Sequence, residues 1–314
     1  MKALLLDDTH PLLEQDLQAG GLTLVREYSA PLEELAAHHS DAEVLIIRSR
    51  MRVDAHFLSQ FPSLKVIGRL GAGLENIDLF EAEKRGISCQ RVPEGNARAV
   101  AEHALGMLLS LLNHLPRVHR EIKEGKWLRE PNKGRELQSL TAGIIGYGVI
   151  GSEFAQLLGA MGVKVLAYDK YKFGYAPDGV EEVSLEELQR RADVVSLHLP
   201  LTDETRGLAD AQFFNGFAKP IHFINTARGP ILRTNDLLVA MDEGKVLSAG
   251  LDVLEYEKSS FTSLFKDELP PTLQRLLELE NVLLSPHIAG WTQESFEKMG
   301  RGLAAKVLEA LKTS

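Results

Sequence analysis

Residues 141–151 read Thr-Ala-Gly-Ile-Ile-Gly-Tyr-Gly-Val-Ile-Gly, and this stretch, with the residues that follow it, decides the fold. The apolar run 142–145 predicts a buried parallel strand, which stops at a glycine-rich turn. Apolar residues then recur at helical spacing over 154–161, and a second apolar run, 163–168, ends in Asp169. Strand, glycine turn, helix, strand and acid, in this order, are typical of a dinucleotide-binding unit.

The three glycines of this turn each have a predicted role. Gly146 permits the tight turn, Gly148 lets a pyrophosphate approach the backbone, and Gly151 lets helix and strand pack closely. The phosphates would lie at the start of the helix, where free N–H groups and the helix dipole favour negative charge. The alternative is an ordinary structural turn, but the flanking strands, helix and acid favour a nucleotide site.

Asp169 lies eighteen residues after Gly151 and bears on the choice of cofactor. Its carboxylate would accept hydrogen bonds from an adenosine ribose and would repel a 2′-phosphate, so NAD is expected rather than NADP. The positive charges of Lys170 and Lys172 lie close in sequence and weaken this preference a little.

Length and composition indicate a globular protein. The 314 residues are enough for two domains; 44% of them are hydrophobic and 25% charged. The net charge of −9 argues against nucleic acid or an anionic membrane as a partner. The first apolar run, 3–6, stops at two aspartates and predicts a strand rather than a signal peptide. Cys89 is the only cysteine, which excludes an internal disulfide or a cysteine metal cluster. A cytoplasmic location and no metal site are expected.

The first part of the chain, 2–93, alternates apolar runs with amphipathic stretches. Strands are predicted over 2–6, 22–25, 44–47, 65–68 and 87–92, and helices over 11–18, 32–38 and 54–60. Strands separated by helical crossovers imply a parallel sheet covered on both faces.

Two turns at the ends of these strands are candidates for ligand binding. One contains Arg48 and Ser49; the other contains Arg69 and the run Gly71-Ala72-Gly73. Ligands of open α/β sheets bind at the carboxyl ends of the strands. The glycine run could offer backbone N–H groups to an anion while the arginines supply charge. The alternative is a tight turn with solvated arginines.

The segment 96–125 is apolar enough to predict a long, largely buried helix after a turn at 93–96. Pro116 should end or kink it. Such a helix either crosses between domains or packs against a second subunit. His103, inside it, is expected to be a satisfied core histidine rather than a catalytic one.

After the glycine unit, strands are predicted over 193–199, 221–225, 246–249 and 282–284, with helices over 185–190 and 237–243. Together with the first two strands they make a six-stranded doubly wound domain. A last helix, 293–311, must pack outside this sheet, and the first domain is its expected place. The nucleotide domain would then be an insertion into the first domain, with a hinge at the two crossings.

Polar side chains follow three strands of the second domain. Arg228 could hold a substrate carboxylate with its planar donor group. His287 could take a hydroxyl proton as a hydride leaves for the nicotinamide. An acid from 250–257 beside the imidazole would stabilise its cationic form, and Asp252 is placed to bond the nicotinamide carboxamide. The alternatives are a surface ion pair for Arg228 and a plain turn residue at His287.

Four further motifs carry a resemblance to a known family: Asn-Ala-Arg-Ala-Val-Ala-Glu-His at 96–103, His-Leu-Pro-Leu-Thr at 198–202, Thr-Ala-Arg-Gly at 226–229 and Ser-Pro-His-Ile-Ala-Gly at 285–290. With the glycine turn, they make the chain similar over nearly its whole length to the D-isomer-specific 2-hydroxyacid dehydrogenases. The resemblance implies that Arg228, Glu257 and His287 are catalytic. In the family the glutamate lies five residues after the aspartate, which selects Glu257 over Glu255. Beyond the glycines, the implied cofactor contacts are Val149, Ile150, Asp169, Thr226, Ala227 and Asp252.

The resemblance also implies a homodimer built on the long helix near 97–122 and two domains that close over the substrate. The turns with Arg48, Ser49, Arg69 and 71–73 resemble the substrate-binding turns of the 3-phosphoglycerate dehydrogenase branch. Glu75 stands where that branch usually has aspartate. The segment 258–280 is unusually long, and it is expected to form an extra helix near the active site or a surface cover.

We therefore predict an α/β protein of two doubly wound parallel-sheet domains. A Rossmann NAD-binding domain, 98–285, would be inserted into a flavodoxin-like substrate domain made of 1–97 and 286–314. The expected function is NAD-dependent oxidation of a D-2-hydroxy acid, with 3-phosphoglycerate as the first candidate. The alternatives are a glyoxylate or hydroxypyruvate reductase and, from another class, a nucleotide-sensing protein like the family's corepressor branch.

Overall fold

The computed structural model describes residues 1–257 and 269–313. The chain divides into two compact units, Met1–Asn96 with Trp291–Ser314, and Ala97–Gly290. The expected crossing at 285/286 differs from this division by five residues. Residues 286–290 belong to the second unit, where the N–H groups of Ile288 and Ala289 donate to the Asp252 carboxylate. Within the described residues, no helix is long and apolar enough to cross a membrane.

The first unit contains a five-stranded parallel sheet in the order β2-β1-β3-β4-β5. This is the flavodoxin-like order that was expected. The central strands β1 and β3 are almost wholly buried, as a sheet covered by helices requires, whereas the edge strand β2 is partly exposed. The five strands of this sheet are β1 (Lys2–Leu5), β2 (Thr23–Arg26), β3 (Val44–Ile47), β4 (Val66–Arg69) and β5 (Ser88–Arg91).

Four helices connect these strands: α1 (Pro11–Ala19), α2 (Leu32–His39), α3 (Ala55–Ser59) and α4 (Leu79–Lys84). Helix α4 was not predicted from the sequence. It has only six residues, and its apolar residue Phe80 faces solvent, so it lacks an amphipathic signal. Its one local signal is Asp78, whose side chain accepts the Glu81 N–H at 3.0 Å.

The last helix of the chain packs on the first unit, as expected. In chain order it is the twelfth α-helix, α12 (Gln293–Ala310). It begins at a capping box, in which Thr292 and Ser295 exchange side chain–backbone hydrogen bonds of 3.0 and 3.1 Å. Its buried residues Leu303 and Val307 join one core with Leu5 and other residues of the first sheet.

The second unit contains a seven-stranded parallel sheet in the order β12-β11-β10-β9-β6-β7-β8. The prediction of six strands was wrong because β8 was missed. That strand has three residues, two of them exposed glutamates, and it pairs only with β7 at the sheet edge, so it carries no apolar run. The strands are β6 (Thr141–Ile145), β7 (Lys164–Tyr168), β8 (Val180–Glu182), β9 (Val194–Leu197), β10 (Ile221–Asn225), β11 (Val246–Leu251) and β12 (Val282–Leu284).

Helices between these strands are α7 (Val149–Ala160), α8 (Leu185–Arg191), α9 (Ala211–Asn215), α10 (Thr234–Asp242) and α11 (Pro271–Glu278). Of the expected helix or cover over 258–280, residues 258–268 lie outside the described residues. Helix α11 follows them, and its Leu273 and Leu276 are buried in the core of the second unit.

The long helix is two helices, α5 (Pro93–Leu112) and α6 (Leu115–Lys123). The first helix begins at Pro93, so the turn expected over 93–96 was wrong. Proline is well tolerated at the first helical position, because the N–H that it lacks would have no partner within the helix. The break lies at His114, whose φ of 54° is left-handed. Pro116 falls in the first turn of α6, where it is tolerated, rather than inside a continuous helix.

Candidate active site

The glycine turn connects β6 to α7. At two of its three glycines, close packing leaves no room for a Cβ. Gly146 has a φ of 93°, and a Cβ there would overlap the carbonyl oxygen of His198. A Cβ at Gly151 would overlap the carbonyl oxygen of Gly146. At Gly148 a Cβ would meet no atom within 4 Å. The second glycine is therefore not needed for packing, and its open surface can accept a ligand.

Asp169 follows β7 and is tied to the glycine turn. Its Oδ2 accepts the Tyr147 N–H at 2.9 Å, and its Oδ1 accepts the Tyr171 N–H at 3.0 Å. Each carboxylate oxygen has a second lone pair, so both can still accept a hydroxyl group. These two bonds fix the Asp169 carboxylate beside the glycine turn. A ribose next to a pyrophosphate on this turn would lie within its reach.

The two lysines after Asp169 are engaged by protein groups. Lys172 Nζ donates to the Tyr147 carbonyl at 2.7 Å, and Lys170 forms an ion pair with Glu204. Glu204 offsets the charge of Lys170, whereas the carbonyl leaves the charge of Lys172 in place beside the glycine turn. The effect of Lys172 on the preference for NAD stays a prediction.

Residues 225–227, after β10, form a buried polar corner. Asn225 Oδ1 accepts the Ala227 N–H at 3.0 Å. Within the described part of the chain, the buried Thr226 Oγ1 has no hydrogen-bond partner. A buried hydroxyl without a partner costs free energy, so a ligand that pairs with it gains affinity. Val149 and Ile150, the other predicted contacts, are the first two residues of α7, and Val149 is exposed.

His287 and Glu257 are brought together, although they are thirty residues apart. His287 Nδ1 lies 2.7 Å from Glu257 Oε2, and the side chains are 28% and 22% exposed. The other oxygen, Oε1, accepts the Leu254 N–H at 2.5 Å. A carboxylate only accepts hydrogen bonds, so Nδ1 carries the proton of a neutral imidazole. Nε2 is then the ring nitrogen that can accept a proton from a substrate.

Asp252 fixes the turn that carries His287. Its side chain is 1% exposed, and it accepts hydrogen bonds from the Ser285 hydroxyl (2.6 Å) and from the N–H groups of Ile288 and Ala289 (both 2.9 Å). His103 Nε2 in turn lies 2.9 Å from Ser285 Oγ. The carboxylate thus serves three protein donors, and its expected bond to a nicotinamide carboxamide stays a prediction.

The loop of Arg228 lies directly against the loop of Glu257. A Cβ at Gly229 would overlap the carbonyl oxygen of Leu254. Arg228 itself donates from Nη1 to the Ala227 carbonyl at 2.7 Å. Glu255 has a different partner from Glu257: its Oε2 accepts the Thr234 N–H at the start of α10 at 2.9 Å. The two acids that the sequence offered therefore have different partners.

Ser285 and His198 lie in the motifs at 285–290 and 198–202, but no role was predicted for either side chain. Ser285 is a polar residue at a strand end, which is the signal that selected its neighbour His287. His198 lies against the glycine turn with its Nδ1 atom buried, and this burial lowers its pKa to about 3. Its Nε2 lies 2.9 Å from Ser196 Oγ, so the imidazole is neutral and structural at ordinary pH.

The predicted substrate residues belong to the first unit, where the two arginines meet. Arg69 Nε donates to the Arg48 carbonyl at 3.2 Å, and the Arg48 N–H donates to Asp7 Oδ2 at 2.6 Å. The Arg69 guanidinium lies over Gly71, where a Cβ would overlap it. Ser49 is half-buried beside Arg48. In the run 71–73, the Ala72 carbonyl accepts a bond from Arg91 at 2.9 Å.

Two further findings concern metal-binding and nucleophilic side chains. Among the described residues, no cluster of three or more His, Cys, Asp or Glu side chains could hold a metal ion. Burial raises the pKa of the Cys89 thiol to about 11, so it is protonated at neutral pH and a poor nucleophile.

Comparison with known proteins adds three findings. Residues 105–289 match the family model described as D-isomer specific 2-hydroxyacid dehydrogenase, NAD binding domain. D-3-phosphoglycerate dehydrogenase of Rattus norvegicus is 34% identical over 316 residues, which cover 99% of this chain but only 56% of that protein. Hydroxypyruvate reductase of Thermotoga maritima is 36% identical over 285 residues, 89% of this chain and 88% of that protein.

Solved structures agree with the sequence matches. The D-lactate dehydrogenase of Aquifex aeolicus, solved with NAD and lactic acid, superposes with a TM-score of 0.85 at 30% identity, over 100% of this chain and 96% of that one. A D-2-hydroxyisocaproate dehydrogenase gives 0.84 at 27% identity, over 100% and 97%. The chain spans little more than half the length of the D-3-phosphoglycerate dehydrogenase it matches, 56%.

Proposed function

Because the chain belongs to the D-isomer specific 2-hydroxyacid dehydrogenase family, we propose that it transfers a hydride between NAD and a D-2-hydroxy acid. The observation that carries this proposal is the pair of His287 and Glu257, whose Nδ1 and Oε2 atoms lie 2.7 Å apart at two strand ends of the NAD-binding domain. A histidine held in this way is a general base in one direction and a general acid in the other.

The residues around the glycine turn fit NAD. Gly148 leaves open space at the start of α7, Asp169 has acceptor capacity left, and the buried Thr226 hydroxyl needs a partner. We propose that these groups hold the pyrophosphate, the ribose and the nicotinamide end respectively. When bound, NAD supplies the group that accepts or returns the hydride.

The proton and the carboxylate of the substrate would be handled by side chains of the same unit. His287 Nε2 takes the hydroxyl proton during oxidation and returns it during reduction. Glu257 holds the imidazole in place and stabilises its positive charge when it is protonated. Arg228 binds the carboxylate of the 2-hydroxy acid with its planar pair of donors, which orients the reacting carbon.

For the substrate we propose 3-phosphoglycerate and its product 3-phosphohydroxypyruvate. Support comes from the convergence of Arg48 and Arg69 in the first unit, whose charges suit a phosphate. A second candidate is hydroxypyruvate reduction. The match to the Thermotoga maritima enzyme favours it, because this relative is aligned over 88% of its own length.

We also propose that the enzyme is a homodimer. Every residue of α6 is at least partly exposed, and its apolar residues Leu115 and Ile122 face solvent together with Trp127 just beyond it. Exposed apolar groups clustered in this way mark contact surfaces. Light scattering should give twice the mass of one chain, and Ile122→Asp should lower the measured mass towards that of a single chain.

The cytoplasmic location expected from the single cysteine stays a prediction.

The reaction is tested with purified protein, NADH and a panel of 2-keto acids, by following the absorbance of NADH. We expect the highest kcat/KM for 3-phosphohydroxypyruvate. A higher value for hydroxypyruvate would select the second candidate. If NADH bound but no keto acid were reduced, the dehydrogenase proposal would be wrong and a nucleotide-sensing role would be favoured.

A further inference from the structure

An aromatic cluster of the first unit surrounds the side chain of Arg48. The guanidinium carbon lies 4.2 Å from the centre of the Trp291 ring and 5.4 Å from that of Phe296. The ring centroids of Trp291 and Phe296 are 5.4 Å apart. The rings of His10 and Phe296 are arranged edge to face, with centroids 5.6 Å apart. Trp291 remains 57% exposed. Its large ring is therefore not explained by core packing.

Arg48 and Arg50, two residues apart, differ in the partners of their guanidinium groups. Arg50 donates to the carbonyls of Leu6, Glu27 and Ala30 at 2.8 to 2.9 Å, so its guanidinium is fully used by the fold. In the described part of the chain, the Arg48 guanidinium makes no hydrogen bond or ion pair, and its partner is the Trp291 ring. The N–H donors of a guanidinium lie in its plane, so stacking on a ring leaves them available to a ligand.

The surroundings of Arg48 strengthen its attraction for an anion. Its backbone is held on both sides, by Asp7 and by Arg69, so the side chain starts from a fixed position. Burial lowers the pKa of the guanidinium, against the opposing charges of Asp7 and Asp8. Partial loss of hydration strengthens both a cation–π contact and a charge-assisted hydrogen bond.

We infer that Trp291 is a positioning and specificity-determining residue, whose ring holds the Arg48 guanidinium in place for a second anionic group of the substrate, a phosphate or a carboxylate. This inference rests on the proposed function, since it concerns the second anionic group of the proposed substrate. It adds that discrimination between charged and uncharged substrates depends on an aromatic residue that does not itself bind the anion.

Steady-state kinetics test this with matched pairs of keto acids: 3-phosphohydroxypyruvate against hydroxypyruvate, and 2-oxoglutarate against 2-oxopentanoate. Trp291→Leu should raise the KM of the anionic member of a pair by roughly 3- to 30-fold, and leave its kcat and the KM of the uncharged member unchanged. The pair that responds identifies phosphate or carboxylate. Trp291→Phe should restore part of the affinity. Phe80→Leu, which alters another exposed ring of the same unit, is the control and should change none of these values.

Fluorescence gives a second test that does not depend on turnover. The chain has two tryptophans, so Trp127→Phe leaves Trp291 as the only one. Inorganic phosphate should then change the emission of Trp291 in a saturable way, and Arg48→Met should abolish the change. The inference is overturned if phosphate has no saturable effect, or if Trp291→Leu raises both KM values of a pair equally. If the protein reduces no keto acid, the proposed reaction fails while the phosphate titration still decides whether Trp291 and Arg48 form an anion site.

Discussion

Replacing Glu257 by glutamine should lower kcat and leave the KM of the keto acid nearly unchanged. The two oxygens of the carboxylate have different partners, His287 Nδ1 at 2.7 Å and the Leu254 N–H at 2.5 Å. A glutamine has a single acceptor oxygen and no charge, so it can serve only one of these donors. The variant therefore loses the interaction that stabilises a protonated His287.

The size of the effect follows from the kind of bond that is lost. A hydrogen bond to a charged group contributes about 1.5–3 kcal/mol. In reduction His287 must carry a proton before it can give one to the substrate, and loss of the carboxylate disfavours this protonated form. The loss therefore falls on kcat rather than on the contacts that bind the keto acid. It corresponds to a fall in kcat of roughly 10- to 150-fold. The exposure of the two side chains, 28% and 22%, places the expected value towards the lower end.

The assay is steady-state reduction of the best keto acid, with Glu255→Gln as the matched control. Glu255 accepts the Thr234 N–H at the start of α10, so its replacement should lower the melting temperature and leave kcat unchanged. A fall in kcat of less than about threefold for Glu257→Gln would refute the assigned role. Equal falls in the two variants would also refute it.

Four further variants test the cofactor site and the core. Asp169→Ala should reduce the preference for NADH over NADPH, measured as the ratio of the two kcat/KM values, because the group that repels a 2′-phosphate is gone; an unchanged ratio would contradict this role. Gly151→Ala should lower the free energy of unfolding by roughly 1–3 kcal/mol, because its Cβ overlaps a carbonyl oxygen. Gly148→Ala meets no atom within 4 Å, so it should keep its stability in urea and lose affinity for NADH; equal stabilities of the two alanine variants would be inconsistent with this account. Stability should fall as the pH drops from ~6.5 towards 3, because the unfolded chain takes up a proton that buried His198, with a pKa of about 3, does not. His198→Gln should flatten the dependence of the urea midpoint on pH in this window, and an unaltered slope would count against it.

The sheet strands were predictable to the extent that they are buried on both faces. β3 (Val44–Ile47) and β10 (Ile221–Asn225) are buried along their whole length, and their observed bounds equal the predicted ones. β8 (Val180–Glu182) has one neighbour and a solvent-facing side, so nothing in its composition separates it from a loop. The break of the long helix at His114 depends on one left-handed residue, and the sequence placed it near Pro116 because a proline restricts the residues before it.

The site was predictable as a set of strand ends, but its pairings were not. The pattern of polar residues placed an acid near His287 without separating Glu255 from Glu257, and only the family resemblance selected Glu257. The choice depends on how the loop after β11 turns, which directs Glu255 to α10 and Glu257 to the imidazole. Contacts between loops thirty residues apart are set by tertiary packing, for which periodicity in one sequence carries no signal.

The backbone conformation of His287 explains why a buried aspartate, Asp252, lies beside it. Its φ of 57° lies in the left-handed region, which costs about 1–2 kcal/mol for a residue with a Cβ. Such strain persists only when the surroundings determine the conformation. Here the Asp252 carboxylate accepts the N–H groups of the two residues after His287, and its own carbonyl accepts the His287 N–H at 2.8 Å. An aspartate at this strand end is therefore required to aim the imidazole, and this requirement accounts for its burial whether or not the carboxylate also contacts the cofactor.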